Sequence, residues 1–553
     1  MSTCPGRDGS SDRRPGHHGS KEGTLVEDLL VEGTAPVRPE NAAWLEAMWT
    51  RLITIANECW VATYRGAYST IVSEALDIGC EVLDSRGGSL AHGTRSIPVF
   101  NMIMPGVVRA TLAKFGDSIT EQDVFITNDP WLCAGHLPDI AIVSPVFHSG
   151  KLVAFAANVA NVSDIGGNLN RPMNREVFEE GLQIPLLRLY AGGTRVDPLW
   201  ELILANVRTP EEVEGDIEAM ISGNELAGKG ITRLMDDTGL ESLDRLSDEI
   251  CALSEAAMRH AVARLPDGVS EARWTADGLD TPIELRARVE VRGSEIHVTF
   301  PEAPTQVEVG AFNSTLNYTR AHVNYALKCL LAPTIPTNEG CFRPVFVHAD
   351  SGTVFNCLPP AAVDMRTRIG WQVHPLLFQA MEQFLPMEVP AGCGQPSLLS
   401  LDGRWADGTR FQEHLILGAG MGAWSGGAGE DNSTFPSSAA SGSIEILEHR
   451  SPVWVEGRSL VPQSGGAGRY PGGRGEELSV RLRAGEGSTL RVVTALERMT
   501  VAPYGLAGGG PGAKAELVRL DGEGSRAVRD RVVELGPGEG LTIRTAGGGG
   551  YGR

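Results

Sequence analysis

The chain has 553 residues and a mass of 59.0 kDa, and its 48 Lys and Arg against 69 Asp and Glu give a net charge of −21. This acidic balance argues against a nucleic-acid or anionic-membrane surface, because both need a basic footprint. The hydrophobic share of 42% is enough for large cores, so general disorder is excluded. No apolar run approaches the roughly 20 residues of a membrane helix. The length predicts about three or four domains.

The nine cysteines are scattered, odd in number and contain no C-x-x-C pair. This usage argues against a disulfide framework and against zinc knuckles. The first 24 residues carry charge but no apolar stretch, which excludes a secretory signal. The sequence therefore predicts a reduced, cytoplasmic location.

Hydrophobic spacing and glycine content divide the chain into five segments with an overall α+β character. Residues 1–24 are predicted to be a disordered tail, and 25–200 an N-terminal α/β region. A helical segment over 201–270 follows, then an α+β region over 271–415 and a glycine-rich β region over 416–553. The predicted tail has no apolar periodicity, whereas Trp44, Leu45, Met48, Leu52 and Ile55 recur at helical steps.

Two later patterns support this division. Leu243, Leu246, Ile250 and Leu253 continue one helical face that ends before Pro266-Asp267-Gly268. After it, residues 289–292 and 296–300 alternate on either side of Arg292-Gly293-Ser294, which predicts a hairpin.

Nucleotide-binding motifs are missing. The segment Gly508–Lys514 resembles a phosphate loop, but Ala513 separates Gly512 from the lysine and no Ser or Thr follows. The segment 418–423 fits a dinucleotide fingerprint, yet the glycine-rich residues after it are poor helix formers. The sequence predicts that this chain does not itself bind ATP or NAD.

The polar residues between Thr127 and Gly167 are the strongest candidates for chemistry. His136 and Asp139 lie three residues apart on a loop stiffened by Pro138, and an imidazole and a carboxylate so placed can hold a divalent cation. Residues 140–146 and 151–157 are predicted to be two strands joined at 148–150. If they pair antiparallel, Asn161 and Asp164 come beside His136 and Asp139.

A structural interpretation of the same residues stays open. Asn128-Asp129-Pro130 and Asp164-Ile165-Gly166-Gly167 have the composition of turns, and His136 would then be a loop histidine bonded to the backbone.

Several motifs together resemble the hydantoinase B/oxoprolinase family, in family order from about residue 40 to the end. They are Asn128-Asp129-Pro130, His136–Asp139, Pro145-Val146-Phe147, 164–167, 180–182, 184–185, 206–208, 338–340, 343–344, 464–470 and 547–551.

The resemblance implies a subunit that works with a hydantoinase A-type partner, which binds the ATP. Such a pair opens cyclic amides such as hydantoins or 5-oxoproline, or carboxylates ketones in the acetone carboxylase branch. In both, the partner would phosphorylate a carbonyl oxygen and this subunit would complete the reaction near a divalent metal. A third possibility is a non-catalytic assembly subunit.

The resemblance also assigns the site residues. Asp77, His136 and Asp139 match the metal ligands, and Asn161 stands where relatives usually have a histidine. An amide oxygen suits Mn²⁺ or Mg²⁺ better than Zn²⁺, although the metal stays open among these three. Phe100 also replaces a common histidine, which suggests a divergent branch. Asp129 and Asp164 are the candidate catalytic carboxylates.

Four further residues are weaker candidates. Glu445 and Glu448 could act as acid and base, but a surface or salt-bridge role is favoured. His374 could line a pocket or be a buried, hydrogen-bonded residue, and Cys133 is interpreted as a small buried side chain. The glycines between 465 and 473 favour tight turns at a subunit contact.

Overall fold

A computed structural model describes residues 42–553, except 280, 484, 486 and 523. The predicted disordered tail, residues 1–24, lies outside the described residues. Within them the structure contains ten α-helices and twenty strands, and it confirms the α+β fold class. The predicted segment boundaries at residues 200, 270 and 415 stay predictions.

The helices cluster in the first two thirds of the chain. They are α1 (Ala42–Gly66), α2 (Thr70–Ser73), α3 (Met104–Phe115), α4 (Asp197–Ala205), α5 (Pro210–Thr238), α6 (Asp244–Ala263), α7 (Leu316–Leu331), α8 (Thr367–Gly370), α9 (Val373–Met381) and α10 (Ile444–Arg450). The helical segment predicted over residues 201–270 thus contains α5 and α6, and its predicted helical face at Leu246, Ile250 and Leu253 is confirmed. No helix of the described chain is long and apolar enough to cross a membrane.

The strands run through the whole described chain and form four sheets. They are β1 (Ile78–Asp84), β2 (Ser89–His92), β3 (Val124–Thr127), β4 (Asp139–His148), β5 (Lys151–Asn161), β6 (Leu187–Ala191), β7 (Thr194–Arg195), β8 (Gly268–Ala276), β9 (Ile283–Arg292), β10 (Glu295–Thr299), β11 (Val345–His348), β12 (Ser397–Arg404), β13 (Arg410–Leu417), β14 (Val453–Leu460), β15 (Glu476–Leu482), β16 (Thr489–Thr494), β17 (Glu516–Asp521), β18 (Gly524–Val528), β19 (Val532–Leu535) and β20 (Gly540–Arg544).

The first sheet has seven antiparallel strands in the order β2-β1-β5-β4-β3-β6-β7. Its central strands β4 and β5 read as continuous apolar runs because both faces are covered, one of them by α5. The predicted hairpin over residues 140–157 is confirmed, with a turn at Ser149-Gly150 where both residues have positive φ.

The second sheet, β11-β10-β9-β8, contains the predicted hairpin β9–β10, in which Glu295 pairs with Arg292. Its strands alternate buried and exposed residues, as expected for a sheet with one face on the core. The main hydrophobic core joins this sheet to the first one and to helices α1–α9.

The C-terminal third adds two sheets, β13-β12-β16-β19 and β14-β15-β20-β17-β18. Their facing sides form a second hydrophobic core from Leu399, Leu401, Val480, Val492 and Ile543. In consequence, the opposite face of β12, β13 and β16 is free to carry polar residues, and this face borders the candidate site.

Four glycine-rich segments, residues 418–423, 464–475, 503–512 and 545–550, pack backbone against backbone and are called the glycine layer below. The N–H groups of Gly548, Gly549 and Gly550 donate to Gly473, Gly392 and Gly510, respectively, at 2.8–2.9 Å. These close backbone approaches lie inside the chain, whereas the predicted subunit contact at these glycines stays untested.

We predict that Gly548→Ala destabilises the protein by at least about 3 kcal/mol, because the added Cβ would overlap the Met421 carbonyl, which is backbone and cannot swing away. Gly457→Ala is the matched control, since the space beside Gly457 on β14 is open. Chemical denaturation would measure both, and equal midpoints for the two variants would contradict the packing described.

Candidate functional site

The hairpin β4–β5 brings the predicted residues together by its register. Asp139 begins β4 and pairs with Asn161, which ends β5. His136 lies on the loop just before β4, and its Nε2 is 2.9 Å from Asp139 Oδ1 and 3.4 Å from Asn161 Nδ2. All three side chains are buried. The predicted meeting of Asn161 with His136 and Asp139 is confirmed.

Asp77 reaches the same place from a different segment. It immediately precedes β1, which pairs with β5, and its carbonyl accepts a hydrogen bond from Asn161 N–H at 3.1 Å. Burial, reinforced by the nearby Asp139 carboxylate, raises the pKa of Asp77 to about 7. Asp77 can thus change its protonation near neutral pH.

A buried arginine is the central cation of the site. Arg366, just before α8, donates from Nε to the Ala134 carbonyl at 2.5 Å and from Nη2 to Asp139 Oδ2. Its guanidinium lies over the Tyr318 ring, 4.2 Å from the centroid. Because Arg366 is only 3% exposed, its charge acts in a low dielectric.

A second charged layer surrounds His136 on the side opposite Asp139. Asp364 Oδ1 is 3.6 Å from His136 Nδ1, and Arg171 Nε is 3.5 Å from Asp364 Oδ2. Burial opposes ionisation of Asp364, but Arg171 and His136 outweigh it and hold its pKa below the ordinary value. Glu180 fixes this segment by accepting the Val363 and Asp364 N–H groups, both at 2.7 Å.

The protonation of His136 reflects opposing influences. Burial and the Arg366 guanidinium disfavour its charged form, whereas Asp139 and Asp364 favour it and raise its pKa above the ordinary value. An imidazole placed between two carboxylates in this way can accept and release a proton.

These residues enclose a small buried cavity of about 50 Å³. Asp77, His136, Asn161, Arg171, Asp364 and Arg366 supply its polar wall. Its apolar wall includes Phe100, the residue that replaces a common histidine. Ser400 and His414 close the cavity from the polar face of β12 and β13.

The four predicted metal ligands are close together but do not fit a metal as they are arranged. Arg366 binds Asp139 Oδ2, so one carboxylate oxygen is already paired with a cation. Asp139 Oδ1 lies 2.9 Å from His136 Nε2 but has no hydrogen-bond partner among the described residues. His136 Nε2 also faces the Asn161 amide nitrogen at 3.4 Å. Among the described residues, no group of three or more His, Cys, Asp or Glu side chains is placed to hold an ion. The metal assignment stays a prediction.

The structure gives the two candidate catalytic carboxylates other contacts and does not place them on the cavity wall. Asp129 Oδ1 accepts Trp131 N–H at 3.0 Å, which is turn chemistry. Asp164 binds the side chain and the backbone N–H of Arg208, with 2.7 Å from Nη1 to Oδ1. Their catalytic role stays a prediction, and the contacts favour the turn interpretation.

The weaker candidates have structural contacts. Glu448, on α10, accepts Val455 N–H at 2.8 Å, and Glu445 accepts the Ser443 hydroxyl at 2.8 Å. His374 is buried, and its Nε2 is 2.9 Å from His322 Nδ1. Cys133 is a buried free thiol whose pKa is raised by burial, which confirms its interpretation as a packing residue.

Sequence reasoning missed Arg171, Asp364 and Arg366. Asp364 and Arg366 are 225 or more positions from Asp139 along the chain, so no local spacing relates them to it. The available signal was three charged residues, Asp364, Arg366 and Arg368, close together in the mostly apolar stretch of 361–378. Charges in such a run are paired or functional when buried.

Comparison with known proteins shows which family shares this sequence and architecture. A family model described as Hydantoinase B/oxoprolinase matches residues 41–553. The B-type component of a putative D-/L-hydantoinase from Pseudomonas sp. (strain NS671) is 27% identical over 88% of this chain and 86% of its own length.

Two solved structures share the fold. The ATP-dependent caprolactamase from Pseudomonas jessenii superimposes with a TM-score of 0.84 at 25% identity, over 94% of this chain and 91% of that one. A nucleotide-free acetone carboxylase gives 0.83 at 17% identity, over 94% and 77% of the two chains, which shows likeness of fold alone.

We predict that His414 makes the protein acid-sensitive. Its Nε2–H donates to the Ser163 carbonyl and its Nδ1 accepts the Ser400 hydroxyl, both at 3.1 Å, so the ring is neutral. Burial lowers its pKa from 6.5 to about 4. As pH falls from 6.5 to 4, only the unfolded chain gains this proton, and the free energy of unfolding drops by up to about 3 kcal/mol.

His414→Gln should lose this part of the acid dependence, measured by denaturation at pH 7 and pH 4.5. His348→Gln is the control, because His348 is exposed at the end of β11. An acid dependence in His414→Gln as steep as in the control would exclude the neutral buried ring.

We also predict well below one equivalent of Mn, Zn or Mg per chain in elemental analysis of the purified protein, because Arg366 already neutralises Asp139. The double variant Asn161→His/Arg366→Met should raise the metal content towards one equivalent, whereas each single variant should not. A full equivalent in the unsubstituted protein would restore the predicted metal centre.

Proposed function

Because the chain belongs to the hydantoinase B/oxoprolinase family, we propose that it is the subunit that completes ATP-dependent hydrolysis of a cyclic amide. The observation that carries this proposal is the buried polar cavity at the ends of β4 and β5, in a chain that resembles a hydantoinase component along most of its length. The acidic residues and arginines of that cavity suit attack of water on an activated carbonyl carbon.

The proposed chemistry divides the work between two proteins. An amide resists water, and phosphorylation of its oxygen by a hydantoinase A-type partner would create a far better electrophile. The partner would bind the ATP, in keeping with the missing phosphate loop here. The hydantoinase relative is itself named as one subunit of an enzyme, which supports such a pair.

Within this chain, the proton and the developing charge would be handled by different groups. Asp77 in its ionised form would accept the proton of the attacking water, since it lines the cavity and burial raises its pKa to about 7. His136, on the same wall and between two carboxylates, would receive and release that proton. Arg366 and Arg171, also on the cavity wall, would stabilise negative charge on the oxygen or phosphate. The divalent ion implied by the family resemblance would have to compete with Arg366 for Asp139, and no step here depends on it.

Ketone carboxylation is the second candidate, because the family resemblance includes the acetone carboxylase branch and that enzyme shares the fold. It would use the same division of labour, with bicarbonate as a co-substrate. A non-catalytic assembly role is the third, since Asn161 and Phe100 depart from the family pattern.

The test is co-expression with the A-type partner and measurement of ATP hydrolysis and ring opening with hydantoin, 5-oxoproline and simple lactams. We expect His136→Gln and Asp77→Asn to lower kcat by about 100-fold or more, the usual contribution of a general acid or base. Co-purification with the partner should be unchanged.

His348→Gln serves as the control for turnover, since it replaces an exposed histidine far from the cavity wall. Unchanged turnover in both site variants would refute the catalytic role. Bicarbonate-dependent consumption of a ketone, without turnover of cyclic amides, would favour the carboxylase alternative.

A further inference from the structure

A second, larger cavity opens beside the buried one. It is a solvent-exposed cleft of about 640 Å³ between β12, β13 and β16 on one side and the loop at residues 208–209 on the other. We call it the arginine cleft after the five arginines on its wall: Arg208, Arg404, Arg410, Arg491 and Arg519. Neither the sequence motifs nor the comparisons assign it a role.

The cleft continues the surface of the buried cavity. Along one face of β12, β13 and β16, the residues nearer the core line the cavity: Leu398, Ser400, His414, Ile416 and Val493. The next residues of the same face line the cleft: Asp402, Arg404, Arg410, Gln412, Thr489 and Arg491. Same-face neighbours on a strand are about 6.7 Å apart, so cavity and cleft are consecutive stretches of one polar surface.

The charge of the cleft opposes that of the protein. Its wall has five arginines against three acidic residues, in a chain with a net charge of −21. Arg208 pairs with Asp164 at 2.7 Å, Arg491 with Glu534 at 2.7 Å and Arg519 with Glu539 at 2.8 Å. The remaining positive charge of the wall comes from the other two arginines, which attract anions although the molecule as a whole repels them.

Two arginines at the outer end of the cleft have no carboxylate as an ion-pair partner among the described residues. Arg404 and Arg410 stand directly opposite each other on β12 and β13. Neither forms an ion pair with an acidic residue of the described chain. Like charges at directly opposed positions of a sheet are destabilising, and an anion between them would remove this cost.

At the junction between cleft and cavity, buried hydrogen-bond acceptors have no donor. Asp402 is 5% exposed, and neither of its oxygens has a hydrogen-bond partner among the described residues. The same holds for Gln412 Oε1, whereas Gln412 Nε2 donates to the Ser163 carbonyl at 2.7 Å. Buried acceptors without partners are costly, so this place suits a ligand that brings N–H groups.

The buried cavity and the arginine cleft differ in volume, and this difference separates their roles. The buried cavity of about 50 Å³ has room for one or two water molecules, each of which takes about 30 Å³. Small-molecule sites usually measure about 300–1,000 Å³, a range that includes the cleft. A cyclic amide or its ring-opened product therefore has to keep most of its atoms in the cleft.

We propose that the arginine cleft binds the reacting small molecule as an anion, with a carboxylate or phosphate on Arg404 and Arg410 and N–H groups on Asp402 and Gln412. This orientation places the N–H end of the molecule at the junction with the buried cavity. The identity of the reaction rests on the function proposed above, but the binding itself requires neither the partner nor ATP.

The test is calorimetric titration of the full chain, without partner or ATP, with 5-aminopentanoate, pentanoate, pentylamine and inorganic phosphate. We expect 5-aminopentanoate to bind about tenfold or more tightly than pentanoate or pentylamine, since only it meets both ends of the site. The phosphate arm distinguishes a phosphate source of the anion from a carboxylate source.

The double variant Arg404→Gln/Arg410→Gln should lower the affinity for both 5-aminopentanoate and phosphate by about tenfold or more. Asp402→Asn should abolish the preference for 5-aminopentanoate over pentanoate without weakening phosphate. The matched control is Arg273→Gln/Arg320→Gln, which removes two charges from exposed arginines outside the cleft.

Three results would overturn the proposal: no saturable binding of any anionic probe, equal affinity of the cleft variant and the control, or equal affinity of the unsubstituted chain for 5-aminopentanoate and pentanoate. Each is distinguishable from failure of the proposed function, because turnover with the partner is measured separately. Binding with no turnover would leave the cleft site intact and remove only its link to amide hydrolysis.

Discussion

The buried ion pair between Arg366 and Asp139 is the interaction on which the candidate site depends. Asp139 is 0% exposed, and Arg366 supplies the opposite charge from a segment 227 positions later. The pair holds the start of β4 against the segment before α8, and this contact brings His136 to Asp364 and Arg171. Removing either partner would leave an uncompensated charge inside the protein, which is far more costly than never having had the pair. The pair is thus formed entirely within one chain.

Much of the first sheet was predictable, because it depends on neighbouring segments. The hairpin β4–β5 has a short turn, so its strand pattern also fixed that Asn161 would return beside Asp139. The helices α5 and α6 followed from apolar periodicity in the same way. In contrast, Asp77 entered only through a family resemblance, and Arg366, Asp364 and Arg171 were not found, because nothing local relates residues from distant segments. Asp129 and Asp164 show a different difficulty, since turn residues and catalytic carboxylates look alike in a sequence.

The two cores explain why the polar surface lies where it does. Strands β12, β13 and β16 turn one set of alternating residues to the second hydrophobic core, which leaves the other set facing the segment that follows β5. Because successive side chains of a strand point to opposite faces, Leu399 and Leu401 pack in the second core, whereas Ser400 and Asp402 face the candidate site and its cleft. A shift of one residue in this sheet would exchange the two sets, so core and chemistry are specified by the same register.

The glycine layer has a consequence for how this chain can change over time. Its segments are joined by main-chain hydrogen bonds that any amino acid could form, yet the spacing between them admits only hydrogen at positions such as Gly548 and Gly549. The sequence constraint in this part of the molecule is therefore the absence of side chains at particular positions. Amino-acid substitutions at those positions should therefore be rare during evolution. A one-residue insertion, harmless in an ordinary surface loop, would here move every later glycine of the segment away from the backbone that it contacts.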